Sequence, residues 1–304
     1  MLVSDCGLIG GTVLLLAENI LRAINYIEEN LQNPLTLDMI AEHSHFSKFH
    51  FHRMFRAVTG KTVSEYIWKR RLTLGIERLL LPGGSITDIA QEAGFSDSAS
   101  FSHAFRQYFH LTPSEYRKAP QILPVTQRLT MRHFTESEQG VMAYPETVYM
   151  PGFTVIGSRH IIFYGENREK NTAYNVGSNF FYTWREKLPC AIKRELYTGI
   201  TLLPKEEDYT WYISSFEVAP DAPCPDGLEK LSFPAGYFAC FRYAGLHGVE
   251  LLSQNMRPLF EQIFLNWMPL QKGITIPYNL EHIPWSLCSK NYSQIELYYA
   301  LQDT

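Results

Sequence analysis

One short segment places basic and aromatic side chains at helical spacing, a pattern that suits contact with nucleic acid. Phe51, Phe55 and Val58 recur at the interval of a helix turn and predict its buried face. The other face then carries Lys48, Phe49, His52, Arg53 and Arg56. An arginine fork can donate to O6 and N7 of guanine together, and an aromatic ring can contact a thymine methyl group. The segment therefore predicts base contacts, and phosphate neutralisation by the two arginines is the alternative.

A second segment predicts a similar helix whose exposed side chains are smaller. They are Ser98, Ala99, Ser100 and His103, with Arg106 nearer the phosphate backbone. Such side chains make few discriminating hydrogen bonds, so this helix is expected to position phosphates and to read DNA shape. His103 could reach a base, and a phosphate or solvent role is its alternative.

These two segments belong to an internal repeat. Residues 36–41 match residues 85–90 at an offset of 49, and Phe51 matches Phe101 at an offset of 50. A period of this length indicates a supersecondary unit that is used more than once. Each copy predicts a short helix, a tight turn and a longer helix, the helices being capped by Thr36, Ser47, Ser85 and Ser96. Two helices joined in this way form a helix-turn-helix, whose second helix lies in the major groove.

The helices around the repeat complete an all-α N-terminal domain. A first helix is expected over residues 12–30, and a linker helix over residues 63–80 joins the two copies. The linker helix would hold the recognition helices about one DNA turn, roughly 34 Å, apart. Its Lys69, Arg70 and Arg71 predict a basic face, which could also be a plain solvated surface. His45 stands where the second copy has Gly94, so a strained left-handed turn is expected there.

The C-terminal part changes from helical to mixed periodicity. Alternating or β-rich segments occur at residues 147–159, 195–203, 209–219, 238–243 and 294–301. Residues 176–194 and 246–268 predict helices. This order predicts a duplicated βαββ unit, so the chain combines an all-α domain with an α+β domain.

Charge and composition narrow the class of protein. The chain of 304 residues has a net charge of −4, whereas residues 47–118 hold 11 basic against 6 acidic residues, or +5. Five scattered cysteines without C-x-x-C spacing predict a reduced, cytosolic protein without structural zinc. The apolar run at residues 8–16 follows no Lys or Arg, so secretion is not expected, and residues 1–11 are either a short arm or a misassigned start. No catalytic, metal-binding or cofactor motif is recognisable.

The repeat resembles the DNA-binding domain of the AraC/XylS family of transcription regulators. The resemblance covers about a third of the chain and rests on an ordered set of motifs: Ile40-Ala41, Phe46-Ser47, Phe55-Arg56-x-x-x-Gly60, Arg70-Arg71-Leu72, Asp88-Ile89-Ala90, Gly94-Phe95, Phe105-Arg106 and Thr112-Pro113-x-x-Tyr116-Arg117. It implies that Phe49, His52 and Arg53 face base edges.

The C-terminal part resembles the GyrI-like effector-binding domain found in Rob-like regulators. The match rests on Pro234-Ala235-Gly236-x-Phe238-x-x-Phe241-x-Tyr243-x-Gly245, Trp267-Met268-Pro269, Leu280-Glu281 and Ile295-Glu296-Leu297-Tyr298. It implies that Glu281 lies in an aromatic pocket, where a carboxylate and ring faces could hold a lipophilic cation. Trp184, Tyr212 and Trp285 are the expected walls, and a partly exposed strand-end glutamate is the alternative. Ile283 departs from the family, which usually has tyrosine there.

Together these patterns predict a cytoplasmic, nucleoid-associated bacterial transcription regulator, most simply an activator. Residues 12–118 would bind double-stranded DNA, residues 119–144 would form a linker and lead-in strand, and residues 145–304 would bind a small effector. RNA polymerase is the expected protein partner, and no cofactor, metal, membrane or enzymatic activity is expected. The alternatives are a protein that sequesters drugs or toxins and binds DNA secondarily, and a GyrI-like hydrolase fused to DNA-binding helices.

Overall fold

The computed structural model describes residues 16–137, 139–202, 208–271 and 274–303. The predicted arm at residues 1–11 and the start of the first predicted helix lie outside these residues. The N-terminal helices are α1 (Leu16–Glu29), α2 (Leu37–Glu42), α3 (Lys48–Thr59), α4 (Val63–Leu79), α5 (Ile86–Glu92), α6 (Ser98–Phe109) and α7 (Pro113–Lys118). Within this part of the chain, no helix is both long enough and apolar enough to span a bilayer.

The helix boundaries follow from local capping and turn chemistry. Thr36, Ser47 and Ser85 accept hydrogen bonds from the backbone amides of the helices they precede, as predicted. The cap of α6 is Asp97 and not Ser96, because the Asp97 side chain accepts the bond from the amide of Ser100. His45 has a φ of 56°, so the predicted left-handed turn is confirmed.

The C-terminal domain is built on one antiparallel sheet. Its described strands are β1 (Phe134–Ser137), β2 (Gly140–Met150), β3 (Phe153–Phe163), β4 (Leu196–Leu202), β5 (Tyr209–Val218), β6 (Glu229–Phe233), β7 (Gly236–Gly245), β8 (Ile274–Thr275), β9 (Tyr278–Pro284) and β10 (Ser293–Asp303). Their order across the sheet is β1-β2-β7-β10-β9-β4-β5-β3-β6, and β8 pairs with β10. Helices α8 (Tyr164–Lys170), α9 (Thr172–Trp184) and α10 (Leu252–Gln262) complete the domain.

The sheet contains the predicted duplication. One unit is β3-α9-β4-β5, the other is β7-α10-β9-β10, and β4 pairs with β9 where the units meet. Both predicted helices are shorter than expected. The first ends at Trp184, ahead of Pro189, and the second gives way after Gln262 to a π-helical turn at Ile263–Trp267.

The helical domain packs directly on the sheet. Val141 and Ala244 contribute to the core of α1 and α3, whereas their neighbours Met142 and Tyr243 contribute to the core under α9 and α10. Adjacent strand residues point to opposite faces, so this end of the sheet is covered on both sides. Lys61, which follows α3, also forms an ion pair of 2.6 Å with Glu146 on β2. The first helix-turn-helix and the sheet therefore share one core.

Two contacts lie close to the predicted domain boundary. Strand β2 runs through residue 145, the predicted start of the C-terminal domain, and pairs with β7 on both sides of an irregularity between Ala143 and Glu146. The predicted linker is also bound to the helices. The carbonyl of Thr126 accepts a bond of 2.7 Å from Arg70 Nη1, and its amide donates one of 3.0 Å to Thr73 Oγ1.

Candidate functional site

Helix α3 presents an open face beside the face that it buries. Phe51, Met54, Phe55 and Val58 lie in the core, as their spacing predicts. Lys48, Phe49 and Arg56 are exposed, and 77% of Phe49 is accessible to solvent although it is a large apolar residue. Lys48 Nζ lies 2.8 Å from Asp38 Oδ2 on the surface, so its charge is partly engaged. His52 is half-buried. Four of the five predicted reading residues therefore lie along one accessible stripe or at its edge.

Arg53, the fifth, lies at the border between α3 and the C-terminal domain. The central carbon of its guanidinium is 3.7 Å from the ring centroid of Tyr292 and 5.8 Å from that of Phe49. His50 lies on the same side, with its ring edge-on to Tyr292 at a centroid distance of 6.3 Å. Burial, together with the nearby charge of Arg53, lowers the pKa of His50. A neutral His50 at this border adds no charge next to Arg53.

Helix α6 shows a surface with little base-reading chemistry. Ser100, His103 and Arg106 are exposed and Ser98 is half-buried. The cap residue Asp97 accepts bonds from the Ser100 amide at 2.7 Å and from Ser96 Oγ at 2.9 Å. These bonds lower the pKa of Asp97, so it is ionised at neutral pH. An anion therefore lies at the leading end of α6, next to the side chains predicted to position phosphates.

Glu281 lies at the middle of the sheet, between the two covering helices. It is on β9, opposite Gly199 of β4 and Leu297 of β10. Helix α9 packs on β3 and β5, and α10 packs on β1 and β2, so neither helix packs centrally over β9. Tyr212 donates its hydroxyl to Glu281, and the hydroxyls of Tyr197 and Tyr212 are 2.8 Å apart. The result is a half-buried carboxylate at the end of a chain of phenols.

Burial controls the protonation of this cluster. It raises the pKa of Glu281, and the bond from Tyr212 opposes part of that rise. Burial and the adjacent carboxylate also raise the pKa of Tyr197, Tyr212 and Tyr299. The phenols therefore remain neutral hydrogen-bond donors, and Glu281 is the carboxyl group of this cluster.

Two glycines leave space for the side chains around Glu281. A Cβ at Gly199 would collide with the Glu281 carboxylate and with the Tyr212 hydroxyl. A Cβ at Gly177, on α9, would lie 2.6 Å from the Tyr197 hydroxyl. Both glycines therefore permit close packing around the carboxylate.

Comparison with known proteins now identifies the two parts. A family model described as an integron-associated effector binding protein matches residues 146–301, just over half of the chain, and a helix-turn-helix domain model matches residues 40–119. The chain belongs to the integron-associated effector-binding protein family. Regulatory protein SoxS of Salmonella typhimurium is 43% identical over 94 residues, which are 31% of this chain and 88% of SoxS. The N-terminal part is thus an AraC-type DNA-binding domain.

Two further similarities are found. The right origin-binding protein of Escherichia coli K12 is 34% identical over 124 residues, which are 40% of this chain and 43% of that protein. The match to a crystal structure of an integron cassette protein from Vibrio cholerae covers 53% of this chain and 97% of that chain, at 12% identity and a TM-score of 0.39. This chain is therefore a sequence-specific DNA-binding transcription regulator with an effector-binding domain. The predicted family and fold class are confirmed.

The basic face predicted for the linker helix of this regulator is wrong. Arg70 Nε and Nη2 each lie 2.9 Å from a carboxylate oxygen of Glu28, and both side chains are buried. Arg71 donates to the carbonyls of Leu31 and Asn33, both at 2.8 Å. Lys69 forms an ion pair of 2.8 Å with Glu65. Arg70 and Arg71 hold α4 to α1 and to the segment that follows α1, and Lys69 pairs within α4, so all three cations are engaged inside the protein.

The predicted walls of the effector pocket divide into two groups. Tyr212 contacts Glu281 directly, and the ring of Trp285 lies 5.8 Å from that of Tyr197 and stacks on Phe181 at 4.5 Å. The ring of Trp184 lies 6.4 Å from that of Phe180, and Trp184 packs against the core cluster that also contains Tyr212 and Trp285. Tyr197 and Tyr299 were missed, although the alternation of side chains along their strands could have placed them on the face of Glu281.

An apolar cavity of about 270 Å³ lies beside α10, apart from the cluster around Glu281. Its apolar lining includes Met142, Phe241, Ile263 and Trp267, and it contains no charged side chain. The Trp267 ring is also 6.0 Å from that of Tyr299. This cavity suits a neutral apolar molecule, whereas the surroundings of Glu281 suit a cation. Among the described residues, no group of three or more potential ligands could hold a metal ion.

Proposed function

We propose that this regulator activates transcription from bipartite DNA sites in response to a lipophilic cation. Binding of DNA by α3 is supported by the accessible stripe that contains Phe49 and Arg56, beside Arg53. The carboxylate of Glu281 carries the second half of the proposal. It is partly desolvated, it accepts a bond from Tyr212, and it lies among aromatic rings. A cation that also stacks on such rings gains charge attraction and apolar burial together.

In this proposal, one cytoplasmic, nucleoid-associated protein binds both DNA and the effector and contacts RNA polymerase. The AraC-type helices bind DNA, and the sheet domain, beginning with β1, binds the effector. We propose binding and not hydrolysis at Glu281, because its described neighbours are phenols and a backbone glycine. Sequestration of drugs is the second candidate, since the same carboxylate would serve it.

The test is selection of genomic DNA fragments by the full-length protein, with and without tetraphenylphosphonium. Neutral triphenylphosphine oxide is the matched control. Enrichment of a bipartite site, altered by the cation alone, supports the proposal. Calorimetry of the same protein reports ligand binding directly. Cation binding without any change in DNA selection would favour sequestration, and conversion of the ligand would favour an enzyme. No enriched sequence would overturn the proposal.

A further inference from the structure

The C-terminal domain contributes a side chain to the border of the DNA-reading helix. Tyr292 immediately precedes β10 and is fully buried in the core that contains Phe51 and Phe55 of α3. Its hydroxyl donates to Gln294 Oε1 at 2.8 Å, and its carbonyl accepts a bond of 2.8 Å from the amide of Ser289. The ring is therefore held in place by the sheet domain.

This fixed ring provides a flat support for Arg53. The guanidinium carbon lies 3.7 Å from the ring centroid, which is the geometry of a stacked cation–π pair. Of the guanidinium nitrogens, only Nε is buried without a hydrogen-bond partner among the described residues. The two terminal nitrogens thus remain available to an acceptor outside the protein. These are the atoms that a bidentate contact with guanine requires.

We propose that Tyr292 is a positioning residue for DNA recognition, through which the effector-binding domain orients the fork of Arg53. The inference rests on the proposed reading of DNA by α3 and adds a determinant from the other domain. A free arginine side chain loses rotamer entropy when it docks on a base. A guanidinium already held against a ring loses less, so the stack favours specific binding. Contacts with phosphates do not need this alignment and are not expected to depend on it.

Other roles of Tyr292 would change the DNA affinity differently. If Tyr292 withheld Arg53 from DNA, the stack would break in the complex and removal of the ring would strengthen binding. If Tyr292 only stabilised the fold, its loss would affect all DNA sequences equally. The sign and the sequence dependence of the change therefore separate the three roles.

The experiment compares wild type, Tyr292→Phe, Tyr292→Leu, Arg53→Ala and the Tyr292→Leu/Arg53→Ala double variant, all as full-length chains. Affinity is measured at one salt concentration for the duplex that the wild type selects and for a random duplex. Tyr292→Phe keeps the ring and is expected to bind like wild type. Tyr292→Leu is expected to lose about 5- to 20-fold on the selected duplex, within the range of cation–π pairs, and little on the random one. In the Arg53→Ala background, Tyr292→Leu should cause no further loss.

A measurement on the wild type covers the case in which Tyr292→Leu fails to fold. The Nε resonance of Arg53 should show a ring-current shift in the free protein, and that shift should persist in the complex with the selected duplex. Disappearance of the shift on binding would overturn the proposal, as would unchanged or tighter binding by folded Tyr292→Leu. If the wild type selects no duplex, the proposed function fails and this inference fails with it. If it selects one and Tyr292→Leu retains full selectivity, only the inference is wrong.

Discussion

Glu281→Gln should weaken the binding of cationic ligands without lowering the stability of the fold. Glutamine keeps nearly the shape of the side chain, and its carbonyl oxygen can still accept the bond from the Tyr212 hydroxyl. The substitution removes the negative charge, which a lipophilic cation would require. It also removes a partly desolvated carboxylate whose pKa is raised by burial. Ligand binding and folding stability should therefore change in opposite directions.

The size of the binding loss follows from the surroundings of the carboxylate. Two unit charges about 4 Å apart attract by about 4 kcal/mol at an effective dielectric constant of about 20. Desolvation of ligand and carboxylate offsets part of this, and hydrogen bonds to charged groups have a net contribution of about 1.5–3 kcal/mol. Burial has already removed part of the solvation of the Glu281 carboxylate, which reduces the further desolvation that a ligand causes on the protein side. We expect a loss of about 2 kcal/mol, or roughly 30-fold in Kd.

Calorimetry of the full-length protein with tetraphenylphosphonium and triphenylphosphine oxide measures this loss. The neutral compound should bind both variants alike. Because the folded pKa of Glu281 is raised, its ionisation lowers the stability of the folded state above that pKa. This cost disappears as the pH falls below the unfolded pKa, so the stability of wild type relative to Glu281→Gln should rise on acidification. Cation binding should weaken over the same pH range.

Three results would refute this reasoning. Equal losses for the cationic and neutral compounds would mean that the charge is not recognised. Absence of cation binding by the wild type would mean that the pocket serves something else. A large fall in the melting temperature of Glu281→Gln would make Glu281 a structural residue.

Three further predictions concern DNA binding and the helical core. Arg53→Ala should cost about 1–3 kcal/mol of DNA-binding free energy and relax the preference at one base pair, whereas Lys48→Ala should lower the affinity for all sequences alike. Filter binding over a salt series distinguishes the two effects. An equal loss of affinity for specific and random DNA in Arg53→Ala would contradict base reading. Footprinting should show two protected major grooves per monomer about 10 base pairs apart, and a palindrome occupied only by a dimer would be inconsistent with this. Arg70→Ala should lower the free energy of unfolding by about 3–5 kcal/mol in denaturant melts, because Glu28 is left buried without its partner. Lys69→Ala, at a more exposed pair, is the control and should cost less than about 1 kcal/mol; similar losses for both would refute the role of burial.

The sequence was sufficient where the physical cause is local. Caps and turns act within one helical turn, so Thr36, Ser47 and His45 could be assigned from their neighbours alone. The same reasoning wrongly predicted Ser96 as the cap of α6, where the cap is Asp97. Serine and aspartate are both strong caps, so only the path of the backbone decides between two such neighbours. Alternation and helical spacing similarly predicted the duplicated βαββ units, apart from the helix ends.

The sequence failed where long-range partners decide the role of a charge. Arg70 looked solvated because nothing near it in the chain shows that Glu28 lies opposite. The bonds of the predicted linker to Arg70 and Thr73 join residues more than 50 positions apart, so nothing local in the sequence indicates them. Nothing local in the sequence shows that Trp285, and not Trp184, has a ring contact with Tyr197 among the described residues.

The sequence by itself determined two helix-turn-helix units and a duplicated α+β domain, because periodicity and capping are properties of neighbouring residues. The expectation of a glutamate among aromatic residues came from the family resemblance alone. Only the tertiary structure decided that α3 packs on β7 and that Tyr292 lies against Arg53, although 239 positions separate them. It also decided that Tyr212 donates to Glu281. The physical reason is that packing, desolvation and cation–π contact act through space, and the chain encodes them only through the fold that brings distant residues together.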